Sequence, residues 1–327
     1  MRSTEPAAVP SASLAAFAKL CVVTTAVIFI LIVVGGIVRA THSGLGCPDW
    51  PTCHGNIIPS SDKHTIIEYS HRLTATIAGL LVLSLAIWAW RSFRRVPAIF
   101  YPAVLSFVLV LAQAGLGGAV VENELPAGIV VVHLAMALTI LTLLLVLTAT
   151  ALSMTRDFAP ANPSRAIAGT ALLASCVTLV LMLVGSYVAG AGYGLACSGW
   201  PLCNGQVVPS AHATSVQVHF AHRFLAALVG VIILALVWQA WRLRHKAPVV
   251  FSFAIAAVVV FIGQALIGAA NIWTDLADEV TAAHLATGAL LWTVLALLNI
   301  RIYGVHEWLP RSVKPRPATA PAHGVTR

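Results

Sequence analysis

Long apolar stretches recur along the chain at almost regular intervals, and short polar segments separate them. Each stretch holds about 20 residues, the length that a helix needs to cross roughly 30 Å of hydrocarbon. The pattern therefore predicts an all-α polytopic membrane protein without a soluble domain. We predict eight transmembrane helices, at residues 17–39, 69–90, 98–120, 129–152, 167–189, 220–241, 248–270 and 281–302.

The composition agrees with a membrane protein. Hydrophobic residues make up 59% of the 327 residues and charged residues only 9%, whereas soluble domains carry about 25% charged residues. The net charge of +8 does not indicate a nucleic-acid partner, because the basic residues cluster on one side of the predicted membrane. The positive-inside rule places both termini in the cytoplasm and the opposite loops outside. The basic clusters lie at residues 91–95, 156–165, 242–246 and 301–316.

The sequence contains an internal repeat with an offset of 150 to 151 residues. The segment GLGCPDWPTCHG begins at Gly44, and GLACSGWPLCNG begins at Gly194. Because four helices separate equivalent points, we predict two tandem pseudo-symmetric four-helix bundles, related by an axis along the membrane normal. Further matches are Cys47 and Cys53 with Cys197 and Cys203, His71-Arg72 with His222-Arg223, Gln113 with Gln264, and His133 with His284. The predicted divisions are an N-terminal bundle (1–153), a cytoplasmic linker (154–166), a C-terminal bundle (167–303) and a disordered tail (304–327).

Each half places two histidines a few residues inside helices that begin at the predicted outer face. They are His71 and His133 in the first half, and His222 and His284 in the second. Ionisable side chains at this depth are costly and usually face the bundle interior. A lone histidine there is most often a core residue bonded to a carbonyl, but a pair repeated in both halves favours two imidazoles that ligate one iron. A porphyrin fits better than zinc, which prefers a compact set of four Cys and His ligands.

Two features near these histidines fit a porphyrin but have ordinary alternatives. The segments QAGLGGAV from Gln113 and GQALIGAA from Gly263 supply small residues beside a flat ring, or they serve close helix packing. Arg72 and Arg223 directly follow two of the histidines, and their guanidinium groups can pair with haem propionates. The alternative is that both side chains extend to lipid headgroups.

The four loop cysteines lie on the predicted outer side, where disulfide bonds persist. Five residues, including a proline, separate the members of each pair, so we predict disulfides Cys47–Cys53 and Cys197–Cys203. Spacing alone does not decide whether these bonds hold each loop as a lid or exchange electrons and thiols with a partner. Cys21 and Cys176 fall within helices, and we expect both to be inert core residues.

The repeat breaks at one position close to the histidine pairs. The first half reads EYSHR, with Glu68, and the second reads HFAHR, with His219. Glu68 lies three residues before His71, so both side chains project from about the same face of a helix. A carboxylate is not needed for iron ligation, but it serves proton transfer or charge stabilisation; the alternative is a charge that suits a helix N-terminus. The difference predicts that one bundle carries out chemistry and the other assists.

Together these motifs resemble the haem A synthase family over about residues 20–302. The resemblance rests on GLGCPDWPTCHG, IEYSHR, QAGLGG and VVHLAMAL, with their second-half partners GLACSGWPLCNG, HFAHR and AAHLATGAL. It implies a haem b cofactor held between His222 and His284, and haem O as the substrate on His71 and His133. It also implies that Glu68 is the catalytic residue of an oxidoreductase acting on a CH group. That reaction converts the C8 methyl of haem O into the formyl group of haem A, by successive hydroxylation and loss of water.

The resemblance also implies a setting for this reaction. Haem A serves terminal oxidases, so we expect the protein to lie in a bacterial cytoplasmic membrane. The expected partners are haem O synthase and oxidase assembly factors, and a homo-oligomer is compatible with this setting. The sequence does not identify the electron acceptor. The alternative function is a bis-histidine di-haem cytochrome that transfers electrons between quinol and a periplasmic acceptor. That alternative accounts for the four histidines but gives Glu68 no role.

Overall fold

The computed structural model describes residues 11–56, 61–155, 164–210 and 212–304, and within them the chain forms eight α-helices. Each helix is long and apolar enough to cross a membrane. This confirms the predicted all-α polytopic fold with eight membrane-spanning helices. The helices are α1 (Ser11–Ala40), α2 (Lys63–Ser92), α3 (Pro97–Glu122), α4 (Ala127–Thr155), α5 (Arg165–Gly190), α6 (Thr214–Arg242), α7 (Pro248–Trp273) and α8 (Asp278–Tyr303).

The start of α2 lies earlier than the apolar pattern predicts, and this changes the position of Glu68. α2 begins at Lys63 rather than at residue 69. The Asp62 carboxylate accepts hydrogen bonds from the backbone N–H groups of His64 (3.0 Å) and Thr65 (3.1 Å), which satisfies donors that have no partner inside the helix. Glu68 therefore lies in the second turn, whereas the macrodipole acts mainly on charges in the first turn. The helix-end explanation of this carboxylate is thus disfavoured.

The helices contact one another in two groups of four. In the first group, α1 and α3 each contact both α2 and α4; in the second, α5 and α7 each contact both α6 and α8. Contacts of α1 with α8, and of α4 with α5 and α8, join the groups. This pattern is compatible with two tandem four-helix bundles, which we call the first bundle (α1–α4) and the second bundle (α5–α8). Most of the predicted linker and tail lies outside the described residues.

Hydrogen bonds join the two bundles at or next to positions that the repeat makes equivalent. Trp292 of α8 donates through Nε1 to the hydroxyl of Thr142 in α4 at 3.1 Å, and Trp292 directly precedes Thr293, the equivalent of Thr142. Arg39, at the end of α1, donates through Nη2 to the carbonyl oxygen of Ala189 in α5, its equivalent 150 positions away. In a two-fold assembly, equivalent residues meet at the symmetry axis. These contacts are therefore compatible with the predicted pseudo-symmetric arrangement of the two bundles.

Large fully buried side chains of the first bundle pack at the end opposite the cysteine loops. The Phe17 ring lies 4.8 Å from Phe93 and 5.7 Å from Trp88, measured between ring centroids. Leu85 and Ile99 are fully buried in the same cluster. This packing holds the helices together without using the end of the bundle where the histidines lie.

The two cysteines outside the loops differ in their surroundings. Cys21 is buried in the core, as predicted, but Cys176 is exposed. Cys176 lies on the same stripe of α5 as Leu172 and Val180, which are both exposed. In a membrane protein an apolar residue can face lipid as readily as the core, and this explains why the prediction for Cys176 is wrong.

Candidate functional site

A disulfide bond closes each of the two loops that we call the first cysteine loop (41–62) and the second cysteine loop (191–213). The bonds join Cys47 to Cys53 and Cys197 to Cys203, which confirms both predicted disulfides. After the first bond the backbone turns back, and Cys53 and Asn56 exchange two hydrogen bonds of 3.0 Å. The second loop repeats this turn. All four cysteines are buried.

A tryptophan holds each loop against the end of its bundle. The Trp50 ring packs so closely on Gly118 of α3 that a Cβ atom at position 118 would lie 3.1 Å from Trp50 Cδ2. Trp200 contacts Trp273, at the end of α7, edge-on with ring centroids 6.1 Å apart. Because α3 and α7 are equivalent in the repeat, both loops fold over the same part of their bundle.

Arg72 ties the first cysteine loop to α2. Its Nη1 donates to the carbonyl oxygens of Asp49 (2.7 Å) and Thr52 (2.6 Å), and its Nη2 donates to that of Cys47 (2.7 Å). Its Nε donates to Oε1 of Glu68 at 3.1 Å, which forms the one ion pair found within the described residues. A guanidinium group has five N–H donors, so this network uses four of them.

Arg223 binds the second cysteine loop in the same way. Its Nη1 donates to the carbonyl oxygens of Gly199 (2.8 Å) and Leu202 (2.9 Å), and its Nη2 to that of Cys197 (2.8 Å). Its Nε approaches Nε2 of His219 at 3.3 Å. Holding the loops is a role of both arginines that the sequence analysis missed. Each keeps one N–H donor for the propionate contact, which stays a prediction.

The side chain that receives the arginine Nε differs between the bundles. Glu68 is 4% exposed and His219 is 5% exposed, so both are buried beneath a loop. His219 also lies 3.2 Å from the Cys197 backbone nitrogen through Nδ1. A neutral imidazole has one acceptor nitrogen, so it accepts from Cys197 or from Arg223 but not from both at once. Within the described part of the chain Glu68 is hydrogen-bonded only at Oε1.

The four predicted iron-ligating histidines each pack against a glycine of the preceding helix. The imidazole atom nearest to each glycine is Cε1. At Gly35, Gly185 and Gly268 a larger residue would push against the ring, whereas at Gly117 it would make an ordinary van der Waals contact. The distance from a Cβ atom built on the glycine to Cε1 is 3.1 Å for Gly35 and His71, 3.4 Å for Gly117 and His133, 2.7 Å for Gly185 and His222, and 2.9 Å for Gly268 and His284.

His71 interacts electrostatically with His133, and His284 with His222, which is compatible with the predicted pairs. All four Nδ1 atoms are buried and have no hydrogen-bond partner among the described residues. A buried polar group without a partner costs about 1–3 kcal/mol. Four such atoms at equivalent places indicate that the rings are arranged for a bound ligand.

Backbone carbonyl groups near two of the rings can satisfy Nδ1 when Nε2 binds iron. The Leu181 carbonyl lies beside His222, and the Gln264 carbonyl lies beside His284. Each carbonyl comes four residues before the glycine that contacts the same ring, so the close approach at the glycine also brings the acceptor near. Metal-bound histidines usually donate their other ring N–H to such an oxygen. The residues of the second bundle therefore fit an iron porphyrin with two histidine ligands.

The glutamines that the repeat aligns lie beside the same sites. Gln113 donates through Nε2 to the backbone carbonyl of His133 at 3.0 Å. Gln264 places its Nε2 3.3 Å from Nε2 of His284. This ring nitrogen of His284 is the one that would bind an iron. Binding of a porphyrin there requires the Gln264 side chain to turn away. The repeat aligns these two glutamines, but their sequence context does not indicate a role.

The sequence predicted a role for two of the four glycines. Gly117 and Gly268 belong to the small-residue segments predicted to lie beside a porphyrin, and the structure places them against the histidine rings. The role of Gly35 and Gly185 was missed, although the repeat indicated it: positions 35 and 185 are 150 apart and both hold glycine.

Asp49 organises the first cysteine loop. Its carboxylate accepts hydrogen bonds from the Thr52 hydroxyl and from the backbone N–H groups of Gly55 (2.8 Å) and His54. These donors, the Thr52 hydroxyl first, lower the pKa of Asp49 to about 2. Since they favour the ionised form, this loop depends on a charge that acid removes.

We expect the first cysteine loop to lose its structure in acid and the second to keep it. The pKa of Asp49 is about 2 in the folded protein and about 3.9 in an unfolded chain. Its stabilising contribution is therefore complete above about pH 4 and is lost as the pH falls through about 2. In the second loop the neutral Asn204 side chain accepts from the Ser198 backbone N–H and hydroxyl, each at 2.8 Å.

Hydrogen–deuterium exchange of the two loops, corrected for the intrinsic effect of pH, measures this difference. Asp49→Asn should make the exchange of the first loop independent of acid. Equal acid sensitivity of both loops would contradict the role of Asp49.

The chain is similar to known proteins over most of its length. The COX15-CtaA family model, described as cytochrome oxidase assembly protein, matches residues 18–296. A protein named "Heme A synthase" from Shouchella clausii (strain KSM-K16) is 33% identical over 293 residues, which cover 86% of this chain and 95% of that protein. Proteins of the same name from Alkalihalophilus pseudofirmus and Symbiobacterium thermophilum are each 31% identical, over 289 and 286 residues. These matches cover 86% and 84% of this chain, and 95% and 91% of the respective relatives.

The family match begins in α1 and ends in α8. It therefore includes both cysteine loops, both loop-binding arginines, Glu68 and the two histidine pairs. The chain belongs to the COX15-CtaA family of cytochrome oxidase assembly proteins.

Proposed function

We propose that the chain is a haem A synthase, an enzyme that oxidises the C8 methyl group of haem O to the formyl group of haem A. One observation carries the proposal: the two bundles share a histidine pair, its glycines and a loop-binding arginine, but only the first places a buried carboxylate beside that arginine. Relatives that match most of the chain bear the name of this activity. A fold alone does not determine a function, so the proposal rests on the residues of the site. The family match supports the same function.

The first bundle would hold the substrate. His71 and His133 would bind the iron of haem O from both sides, so that one methyl group at the porphyrin edge meets a fixed set of side chains. Glu68 lies on the same helix as His71, one turn nearer to the first cysteine loop. Its carboxylate would stabilise positive charge that develops on the methyl carbon or accept a proton at Oε2, while Arg72 holds Oε1.

The second bundle would assist. His222 and His284 would hold a haem b, which supplies one-electron oxidation and reduction when bound. Gly185 and Gly268 set the positions of the two imidazole rings. The second bundle has the imidazole of His219 where the first has its carboxylate, so it lacks a negative charge at this place.

We also propose that the cysteine loops face the outer side of a bacterial cytoplasmic membrane and that both termini are cytoplasmic. The basic segments 91–95 and 242–246 support this orientation, because they join helices at the ends opposite the cysteine loops. The disulfide bonds support it too, since they persist in oxidising surroundings. The predicted partners are haem O synthase and oxidase assembly factors. A homo-oligomer is the predicted assembly.

Pigment analysis tests the function. We expect that a host which makes haem O but not haem A will accumulate haem A when it produces this protein. Extraction and mass identification of the pigments bound to the purified protein should give haem b together with haem O or haem A. Haem b alone, with no haem A in the cells, would instead favour the di-haem cytochrome.

The glycine contacts predict a selective loss of haem b. Gly185→Ala puts a Cβ atom 2.7 Å from Cε1 of His222, so the ring must move from its ligating position. Overpacking of this kind costs about 1–3 kcal/mol, and we expect haem b to bind about 5- to 150-fold more weakly. The measurement is the haem b content per protein, from the pyridine haemochrome spectrum.

Gly169→Ala is the matched control on the same helix, because a Cβ atom there meets nothing within 4 Å. Alanine is a better helix former than glycine by about 1 kcal/mol, so a weakened helix cannot explain the loss in Gly185→Ala. Equal haem b content in the two variants would show that the close contact does not position His222.

A further inference from the structure

Arg39 lies at the boundary between the bundles, one helical turn beyond a glycine that contacts a predicted iron ligand. Gly35 packs against His71, and Arg39 follows Gly35 by four residues, so both lie on about the same face of α1. Arg39 Nη2 donates to the carbonyl oxygen of Ala189. Ala189 in turn lies four residues beyond Gly185, the corresponding glycine of the second bundle. The guanidinium group therefore lies between the loop-side edges of the two candidate porphyrin sites.

Arg39 has no anionic partner within the described residues. Its one hydrogen bond there goes to a backbone carbonyl, and the one ion pair of the described residues joins Arg72 to Glu68. The Arg39 side chain is partly buried. A charge at the membrane edge that is partly buried and unpaired is unfavourable. Four of its five N–H donors are left to bind an anion.

The other arginines near the candidate sites are already engaged. Arg72 and Arg223 each direct three N–H groups to loop carbonyl oxygens and a fourth to a buried side chain. A haem carries two propionate carboxylates on one edge, and carboxylates bind best to a guanidinium that offers two parallel N–H groups. Arg39 can offer such a pair, whereas Arg72 and Arg223 have a single donor left.

We propose that Arg39 binds a propionate carboxylate of the porphyrin in the first bundle and so determines which edge of the porphyrin faces Glu68. The inference rests on the proposed function, which supplies the porphyrin substrate. Two axial histidine ligands leave the porphyrin free to rotate about the axis through the iron. A carboxylate fixed at the bundle boundary removes this rotation, and one methyl group is then presented to the carboxylate of Glu68. Arg39 is a substrate-positioning residue.

The repeat supports a role that belongs to one site only. The position equivalent to Arg39 holds Ala189, so the second bundle has no guanidinium of its own at this place. The Ala189 carbonyl instead accepts a hydrogen bond from Arg39 and holds its side chain at the boundary.

The test compares the binding of ferric haem and of its dimethyl ester to the purified full-length protein in nanodiscs of neutral lipid, followed by the Soret absorption. The wild type should bind the diacid more tightly than the ester. Arg39→Gln should weaken binding of the diacid about 10- to 100-fold, the range for a hydrogen bond between charged groups, and leave binding of the ester unchanged. Arg39→Lys, which keeps the charge but not the parallel donors, should fall between them.

Two controls accompany the titration. Arg91→Gln removes the same charge at the end of α2 opposite the first cysteine loop and should behave as the wild type. The titration uses protein whose second bundle already holds its haem b. His71→Ala should then abolish the titration, which assigns the binding to the first bundle.

The outcomes separate this inference from the proposed function. If binding depends on His71 but Arg39→Gln still prefers the diacid as strongly as the wild type, the role of Arg39 is wrong and the proposed function stands. If neither porphyrin binds through His71, the proposed function fails. If the preference is unchanged and Arg39→Gln loses co-purified anionic phospholipid, the anion is a lipid phosphate, and the inference is overturned.

Discussion

Glu68→Gln is expected to stop the conversion of haem O while the protein still binds its porphyrins. The amide keeps an oxygen that can accept the hydrogen bond of Arg72 Nε, so the first cysteine loop stays attached. It can neither carry negative charge nor take up a proton as a carboxylate does. Loss of one acid–base group lowers a rate about 10²- to 10⁴-fold. The measurement is the ratio of haem A to haem O extracted from cells that contain equal amounts of each protein.

Glu68→His is a second variant with a structural precedent in the same chain. It copies the second bundle, where His219 lies 3.3 Å from the Nε atom of Arg223 beneath an intact loop. We expect this variant to fold and bind porphyrin without making haem A. A near-normal haem A to haem O ratio in Glu68→Gln would mean that the carboxylate only anchors Arg72, and the catalytic assignment would be wrong.

His222→Ala and His284→Ala are expected to remove stably bound haem b, because alanine has no side-chain atom that can bind iron. Changing a residue that only supports a metal ligand lowers metal affinity about 10- to 100-fold, so loss of a ligand should have a larger effect. The second bundle should remain folded, because Ile167, Leu236 and Leu298 are buried in a cluster of their own. The reduced-minus-oxidised absorption spectrum of each purified variant, compared at equal protein concentration, measures the loss.

Two further substitutions make this result specific. His212→Ala changes an exposed histidine of the second cysteine loop and should leave haem b unchanged. His71→Ala should keep haem b but lose the porphyrin of the first bundle. An unaltered haem b spectrum in His222→Ala would remove the basis for assigning this cofactor to the second bundle.

The sequence predicted the elements and the repeat because both leave direct marks on residue order. Eight apolar stretches indicate eight helices, and the distances from the cysteine pairs to the histidines differ by only one residue between the halves. The start of α2 was misplaced because its first turns are polar, and an Asp62 cap rather than apolarity determines where the helix begins. The predicted side of Cys176 was wrong for a related reason: hydropathy does not distinguish the lipid-facing side of a helix from the core.

The contacts around the site were beyond sequence reasoning because they depend on which groups meet in space. Arg72 and Arg223 were assigned to propionates or headgroups, yet each guanidinium group binds three carbonyl oxygens of a loop about 20 to 26 residues away. Every residue type has a backbone carbonyl group, so the sequence does not show which of them a guanidinium group binds. Gly35 and Gly185 could have been found, because an equivalent pair of glycines on the helices that precede two equivalent histidines suggests close approach.

The hydrogen bond from Arg39 to Ala189 has a consequence for how such a protein could arise by gene duplication and fusion. In a homodimer of single four-helix chains, an arginine at this place would face its own copy across the axis, and the two positive charges would repel each other. A fused chain escapes that constraint, because each copy can change independently. One half can then keep the guanidinium group while the other supplies a small neutral residue whose carbonyl oxygen receives it. Fusion thus permits one charged side chain at the axis. A dimer of identical chains would carry either two such side chains or none.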